Sequence, residues 1–175
     1  MSLPRVRRLE SIGNRELAGL CDVLIDCVDG GASVSFLWPM TRDKAEHYWR
    51  SVAQSLARGE RAVVVAEDER GEIMGTVQAV WAEPENQPHR ADIAKMLVRR
   101  NARRHGVGAL VLAEAERAAL EAGRTLLVLD TASQDAERLY ERGGWQRVGT
   151  VPKYALMPDG APCGTVFFYK DLALS

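Results

Sequence analysis

The sequence has few cysteines, no long apolar run and no apolar leader, and each shortage excludes a class of protein. Its three cysteines, Cys21, Cys27 and Cys163, show no CxxC spacing. They do not form the pattern of a disulfide framework or a zinc finger, so we expect reduced thiols. Residues 1–10 lack the apolar stretch of a signal peptide, and no segment approaches the roughly 18 apolar residues of a membrane span. We therefore expect a cytoplasmic protein with no membrane partner.

The sequence has no excess of either basic or acidic residues. The chain has 23 basic and 24 acidic residues and a formal net charge of −1. Nucleic-acid-binding domains normally carry a strong basic excess, so no nucleic-acid partner is expected. No two of the three histidines stand at metal-ligand spacing, so no metal is expected. Lysine is also scarce, which leaves arginine as the main cation, and arginine is well suited to bidentate contacts with phosphate. The four lysines are Lys44, Lys95, Lys153 and Lys170.

Length and periodicity predict one α+β domain over residues 1–175 with a mixed sheet. Asn14 and Thr41 are expected to cap the first two helices. The apolar run 126–129 follows a helix and ends in an aspartate, which predicts a parallel strand buried on both faces. The predicted strands are residues 6–9, 62–66, 73–81, 90–98, 126–129, 145–151 and 163–169, and the predicted helices are residues 14–29, 41–59, 106–122 and 133–142.

The most informative segment is the turn between the fourth strand and the third helix. Two glycines, Gly106 and Gly108, stand where the turn opens into the helix. Backbone N–H groups at a helix N-terminus have no internal partner, and the helix dipole favours an anion there. The turn is neither a dinucleotide GxGxxG nor a Walker A sequence. It predicts a phosphate site, with four cations close by: Arg99, Arg100, Arg103 and Arg104.

Two signatures carry a family resemblance. Arg103-x-x-Gly106-x-Gly108 resembles the acyl-CoA-binding signature of the GNAT family of N-acetyltransferases, and residues 95–98 look like that family's fourth strand. Residues 136–145, with a tyrosine before a Gly-aromatic pair, resemble its second signature. The order of elements also matches, so the resemblance covers nearly the whole chain. It implies a mixed, mostly antiparallel, twisted sheet flanked by helices, with a splayed parallel strand pair at the cofactor site.

The resemblance implies an activity as well as a fold. Acetyl-CoA is expected to be the donor and a primary amine of a small molecule the acceptor. Residues 129–131 and 151–170 look most like tabtoxin-resistance-type acetyltransferases, which implies detoxification or antibiotic resistance. By the same resemblance, strand residues pair with the pantetheine arm through a bulge, backbone N–H groups hold the pyrophosphate, and a serine stands where the family often has asparagine. The implied cofactor-binding residues are Met96, Leu97, Val98, Arg103, Arg104, His105, Gly106, Val107, Gly108, Ala109 and Ser133.

Three side chains are candidates for catalysis, because acyl transfer to an amine needs an acid for the departing thiolate and a base for the ammonium. Tyr140 is the expected acid, since its ordinary pKa near ~10 is close to that of a thiol; the alternative is a core tyrosine. Asp130 is either a ligand of the substrate amine or a helix-capping acceptor. Asp92 is either a water-linked base or the partner of Arg90 or Lys95.

The acceptor pocket is expected between the first helices and the middle strands. The apolar loop 34–40, which contains Trp38, and Trp81 are its candidate walls, with core packing as the alternative for Trp81. Neither signature contains cysteine or serine, which favours direct transfer in a ternary complex without an acyl-enzyme. Acetylation of a protein or peptide amine and a non-catalytic CoA-binding module stay open, as does a monomer or a homodimer.

Overall fold

One seven-stranded sheet runs through the molecule in the order β1-β2-β3-β4-β5-β7-β6. The computed structural model describes residues 3–174. The strands are β1 (Arg5–Arg8), β2 (Arg61–Glu67), β3 (Ile73–Trp81), β4 (Arg90–Val98), β5 (Leu126–Thr131), β6 (Gln146–Leu156) and β7 (Pro162–Asp171), and the helices are α1 (Asn14–Asp29), α2 (Arg42–Ala57), α3 (Val107–Glu121) and α4 (Gln134–Arg142). All neighbouring strands are antiparallel except β4 and β5, which confirms the predicted mixed α+β architecture.

Local capping explains where the helices begin. Thr41 caps α2 as predicted, with its Oγ1 accepting from the Lys44 N–H at 3.2 Å. The first cap lies one residue earlier than predicted: Gly13 is the cap of α1, and the Glu16 side chain accepts from the Gly13 N–H at 3.2 Å. Asn14 is therefore the first residue of the helix rather than its cap.

The helices cover both faces of the sheet and produce two cores. Helices α1 and α2 enclose a core that contains Leu20, Leu24 and Trp49. Helices α3 and α4 pack on the opposite face, over a core that contains Val111 and Phe168. No helix within residues 3–174 is both long and apolar enough to cross a membrane.

A bulge in β4 separates it from β5. Gln78 of β3 faces Ala94 and Thr76 faces Leu97, so β4 carries one extra residue at this point. Lys95, within the bulge, has a positive φ of 52°. Bulges bend the strand that carries them. Parallel pairing accordingly extends only from Arg90 and Leu126 to Asp92 and Val128, which confirms the splayed parallel pair.

The splay also corrects the prediction for β5. Leu127 and Leu129 are buried, but the alternate positions are not, and Asp130 is exposed. The strand was expected to be buried on both faces because it is apolar throughout. One face lies over the α3–α4 core, whereas the Asp130 side faces the opening left by the departing β4 strand. The prediction of two buried faces was therefore wrong.

Candidate functional site

The turn into α3 has the geometry of an anion site. Gly106 is the N-cap of α3 with φ 78°, and Arg104, two residues before it, has φ 65°. No side chain caps the helix and its first turn contains no acid, so its first N–H groups are left for another acceptor. Arg104 and His105 are exposed beside these groups. Arg103 is also exposed and donates through Nε to the Val98 carbonyl at 3.2 Å. The positive helix end and the nearby arginines together favour a phosphate group.

Two glycine contacts fix the first turn of α3. A Cβ on Gly75 of β3 would lie 2.7 Å from Val107 Cγ1, so only glycine lets α3 start this close to the sheet. A Cβ on Gly108 would lie 3.2 Å from Leu139 Cδ2, which shows the close approach of α4. The exposed N–H groups of α3 are thus held at the open end of the β4–β5 splay. This arrangement fits the pyrophosphate and pantetheine parts of an acyl-CoA.

The edge of β4 beside this turn is available for pairing. Beyond Asp92, β4 has no backbone pairing with β5 within residues 3–174. Met96 and Val98 pack against the α3–α4 core, whereas Leu97 is buried in the core on the other face. Ser133 caps α4 by accepting from the Ala136 N–H at 3.3 Å. The cofactor roles of these residues stay predictions.

A cleft of about 290 Å³ opens on the other side of the splay. The loop between α1 and α2 forms one wall, the end of β5 another, and the β6–β7 hairpin the third. The lining of the cleft contains aromatic and aliphatic side chains and a single carboxylate. The lining residues are Ser33, Ser35, Phe36, Leu37, Asp130, Thr131, Ala132, Tyr154, Ala155, Leu156, Cys163 and Thr165.

The loop and the hairpin are joined to each other over this cleft. The Trp38 N–H donates to the Pro158 carbonyl at 2.9 Å, and the Ser33 hydroxyl donates to the Leu156 carbonyl at 3.1 Å. These bonds hold the loop over the hairpin and narrow the cleft. The Trp38 indole itself donates to the Val28 carbonyl at 2.9 Å and does not line the cleft. Trp38 thus anchors the loop, while Phe36 and Leu37 form the wall.

Trp81 lies on the opposite face of the sheet. Its ring packs against the α3–α4 core, with the Arg124 guanidinium 5.6 Å from the ring centroid. The structure therefore does not bring Trp81 to the cleft, and it matches the core packing that the sequence left open.

Asp130 is the carboxylate of the cleft. It is exposed, and its Oδ2 accepts from the Thr165 hydroxyl at 2.9 Å. The capping alternative is not what the structure shows, because Ser133 caps α4 and the Thr131 hydroxyl accepts from the Ser133 N–H. The carboxylate is fixed by one hydrogen bond and can accept another from a substrate amine.

Asp92 lies on the same side of the sheet as Asp130, but it already forms an ion pair with Arg90. Its parallel neighbour in the register is Val128, two residues before Asp130. Arg90 Nη1 contacts Asp92 Oδ1 at 2.5 Å, and Asp92 does not line the cleft. The structure thus places Asp92 with Arg90, one of the partners expected from the sequence, and a role as base stays a prediction.

Tyr140 is buried at the end of α4. Its side chain is 3% exposed, and its ring centroid lies 5.7 Å from that of Trp145 and 5.8 Å from that of Phe168. Burial raises the pKa of its hydroxyl well above the ordinary value, and the Asp130 carboxylate raises it further. The ring has the contacts of a core tyrosine, and the hydroxyl has no hydrogen-bond partner within residues 3–174. A neutral hydroxyl without a partner can still donate a proton.

A partly buried ion pair holds this end of α4 in place. Glu116 of α3 accepts from Trp145 Nε1 and from Lys170 Nζ, both at 2.8 Å. Lys170 Nζ also donates to the Gly143 carbonyl at 2.8 Å. The three contacts join α3, β7 and the segment after Tyr140.

Sequence reasoning missed several cleft residues. Tyr154 and Cys163 of the hairpin line the cleft although the predicted last strands stopped short of Tyr154. Lys95 was considered only as a partner of Asp92, whereas its Nζ donates to Ser35 Oγ at 2.9 Å. The only sequence signal for Lys95 was its position directly before Met96, Leu97 and Val98, the strand residues expected to bind the cofactor. All three cysteines are free, and no cluster of three or more metal-ligating side chains occurs in the described part of the chain.

Comparison of the sequence with known proteins identifies a matching family model and a similar relative. The model of the "Acetyltransferase (GNAT) family" matches residues 31–145. An uncharacterized N-acetyltransferase of the hisH-hisA intergenic region of Azospirillum brasilense is 31% identical over 127 residues, which is 71% of this chain and 73% of that protein.

The same architecture occurs in solved structures. A phosphinothricin acetyltransferase from Sinorhizobium meliloti, in complex with AcCoA, has a TM-score of 0.82 at 17% identity and covers 98% of this chain and 89% of its own. A ribosomal-protein-alanine N-acetyltransferase from Brucella melitensis has a TM-score of 0.78 at 23% identity, with coverages of 96% and 99%. At these identities the likeness shows the fold alone.

Proposed function

Because the chain belongs to the GNAT family of acetyltransferases and takes acetyl-CoA as its donor, we propose that it acetylates the primary amine of a small molecule. Transfer is direct, within a ternary complex of enzyme, donor and acceptor. The observation that carries the proposal is the narrow cleft beside the β4–β5 splay, with one carboxylate in its lining.

The shape of the cleft favours a small acceptor over a peptide. A peptide amine brings a continuing chain, which needs an open groove for the residues that follow. Here the loop after α1 is bonded to the β6–β7 hairpin through Trp38 to Pro158 and Ser33 to Leu156. A cleft of about 290 Å³ is also at the small end of ligand pockets.

The donor fits residues on the α3 side of the sheet. The N–H groups from Arg104 to Ala109 would bind the pyrophosphate, with Arg103 beside them, and Met96 to Val98 would pair with the pantetheine arm. Acetyl-CoA supplies an activated acetyl group and a thiolate leaving group. The exposed helix N-terminus and the unpaired β4 edge support this placement.

Two side chains act on the acceptor side. Asp130 attracts and orients the ammonium of the acceptor with the oxygen that Thr165 leaves free, and water takes up the proton. Tyr140 donates the proton that the departing thiolate needs as the C–N bond forms and the C–S bond breaks, and it regains a proton through water from the newly acylated nitrogen. The raised pKa of Tyr140 keeps its hydroxyl protonated at neutral and mildly alkaline pH. Asp92 pairs with Arg90 and does not line the cleft, so the scheme does not require it as the base.

The finer assignment rests on the sequence. The resemblance of residues 129–131 and 151–170 supports a tabtoxin-resistance-type enzyme that detoxifies an amine antibiotic or a related metabolite. The free thiols of Cys21, Cys27 and Cys163 fit a reducing compartment, so we place the enzyme in the cytoplasm, as a monomer or homodimer.

The test is a thiol-release assay with acetyl-CoA and a panel of acceptors. The panel contains small primary amines, short peptides with free N-termini, and peptides whose only free amine is lysine. We expect turnover with at least one class of small amine and initial-rate patterns that intersect, as in a ternary complex. Turnover confined to peptides would refute the small-molecule assignment, and bound acetyl-CoA without transfer to any acceptor would support a non-catalytic CoA-binding module.

A further inference from the structure

Lys95 is a cation without an ionic partner at the margin of the acceptor cleft. It lies in the β4 bulge, half-buried, and its Nζ donates to the hydroxyl of Ser35, which lines the cleft. Nζ also lies 5.7 Å from the centroid of the Tyr48 ring. No carboxylate oxygen lies within 4.0 Å of it in residues 3–174. A half-buried ammonium held by one hydroxyl and an aromatic face keeps the capacity to bind an anion.

Backbone geometry holds this pair in place on both sides. Lys95 has φ 52° and Ser35 has φ 79°, both in the left-handed region that side chains other than glycine rarely adopt. Such conformations persist where the surrounding structure imposes them, and they occur often at functional sites. The Ser35 hydroxyl accepts from Lys95 and retains its own proton to donate to a ligand.

Asp130 carries the opposite charge in another wall of the same cleft. Its hydrogen-bond partner is Thr165, and it forms no ion pair with Lys95. The two charges nevertheless interact electrostatically. Burial lowers the pKa of the Lys95 ammonium, and the Asp130 carboxylate partly offsets this by raising it. Asp130 thus lies in one wall of the cleft, and Lys95 reaches the cleft through its hydrogen bond to Ser35 in another wall.

We propose that Lys95 and Ser35 form a subsite for the carboxylate of the acceptor, so that the acceptor is a zwitterion of the α-amino-acid type. The proposal rests on the proposed function, because it places the reacting amine beside Asp130. The carboxylate of the same acceptor would then bind the Lys95 ammonium and the Ser35 hydroxyl. A diamine would instead bring a second ammonium towards Lys95, where like charges repel. Lys95 thus selects amino acids over diamines.

The test compares matched acceptors that differ only at the carboxylate. Several α-amino acids are assayed, each beside its carboxamide and its decarboxylated amine, and the ratio of kcat/KM for acid over carboxamide is measured. We expect a ratio of about 10 to 100 for at least one amino acid, the value of a charge-assisted hydrogen bond. Lys95→Met should lower that ratio to near 1, and Lys95→Arg should retain most of it.

Two further variants keep the test decisive. Ser35→Ala should lower the ratio several-fold, and it gives an answer if Lys95→Met does not fold. Lys153→Met makes the same chemical change at an exposed lysine of β6 and should leave the ratio at the wild-type value.

The possible failures are distinct. If the wild type accepts carboxamides as well as acids, or if Lys95→Met keeps the wild-type ratio, the carboxylate subsite is wrong and the small-amine function stands. If no small amine is acetylated, the proposed function is wrong and the subsite is refuted with it.

Discussion

Removal of the Tyr140 hydroxyl should slow acetyl transfer without unfolding the protein. The ring of Tyr140 contacts Trp145 and Phe168, and phenylalanine preserves both contacts. The hydroxyl has no hydrogen-bond partner in the described residues, so its loss leaves no buried group unpaired. We therefore expect Tyr140→Phe to change the free energy of unfolding by less than about 1 kcal/mol.

The expected effect on catalysis is much larger. A positioned general acid contributes roughly 10²- to 10⁴-fold to the rate, so kcat should fall by about 10²-fold or more. The KM for acetyl-CoA should change by less than about threefold, because the proposed pyrophosphate and pantetheine contacts are backbone groups of other elements. Burial and Asp130 raise the pKa of Tyr140. The proton donor should consequently persist in the wild type as the pH rises from 7 to 10, so Tyr140 should cause no loss of kcat there.

The assay is thiol release at saturating acceptor, with thermal unfolding measured in parallel. Tyr169→Phe is the matched control, because it removes a hydroxyl from a partly exposed tyrosine of β7. It should retain wild-type kcat. If Tyr140→Phe is as active as the control, Tyr140 is a core residue only, and another group or water protonates the thiolate.

Two further predictions concern the donor turn and the support of α4. Gly106→Ala should raise the KM for acetyl-CoA at least about fivefold, whereas Gly123→Ala should leave that KM unchanged. Both glycines have positive φ with open space around them, so each substitution should cost about 1 kcal/mol of stability, measured by thermal unfolding. An equal KM for acetyl-CoA in the two variants would show that the α3 turn does not bind the donor. Glu116→Gln should lower the free energy of unfolding by about 1 to 3 kcal/mol in a denaturant titration, because it removes the negative charge that the partly buried Lys170 ammonium pairs with. Glu121→Gln, at an exposed pair with Arg8, should leave the denaturation midpoint unchanged, and equal midpoints for the two variants would show that the Glu116 ion pair adds no stability.

The fold and the turn into α3 were predictable because local rules determine them. The bounds of β3 and β4 agree with the periodicity, and Gly106 lies at the start of α3 as the turn pattern predicted. These features depend on residues close in sequence: alternation of apolar residues, glycines at positive φ and helix capping.

The proposed acceptor cleft was harder to predict because it depends on contacts between distant segments. Trp38 was expected to line the pocket, but a hydrogen bond to the Val28 carbonyl turns its indole away. Asp130 was expected on a buried strand, but the β4 bulge opens the sheet beside it. Lys95 meets Ser35 only because the loop after α1 folds over that bulge. The periodicity of apolar residues does not predict such a contact between distant segments.

The most direct test of the proposed site is a crystal structure of the protein with CoA and the N-acetylated product of its best acceptor. We expect the pyrophosphate on the N–H groups of Arg104 to Ala109, the sulfur at the β4–β5 splay within reach of Tyr140, and the product in the cleft against Asp130. A product bound outside the cleft lined by Phe36, Tyr154 and Thr165, or CoA bound away from the α3 turn, would contradict the site described here.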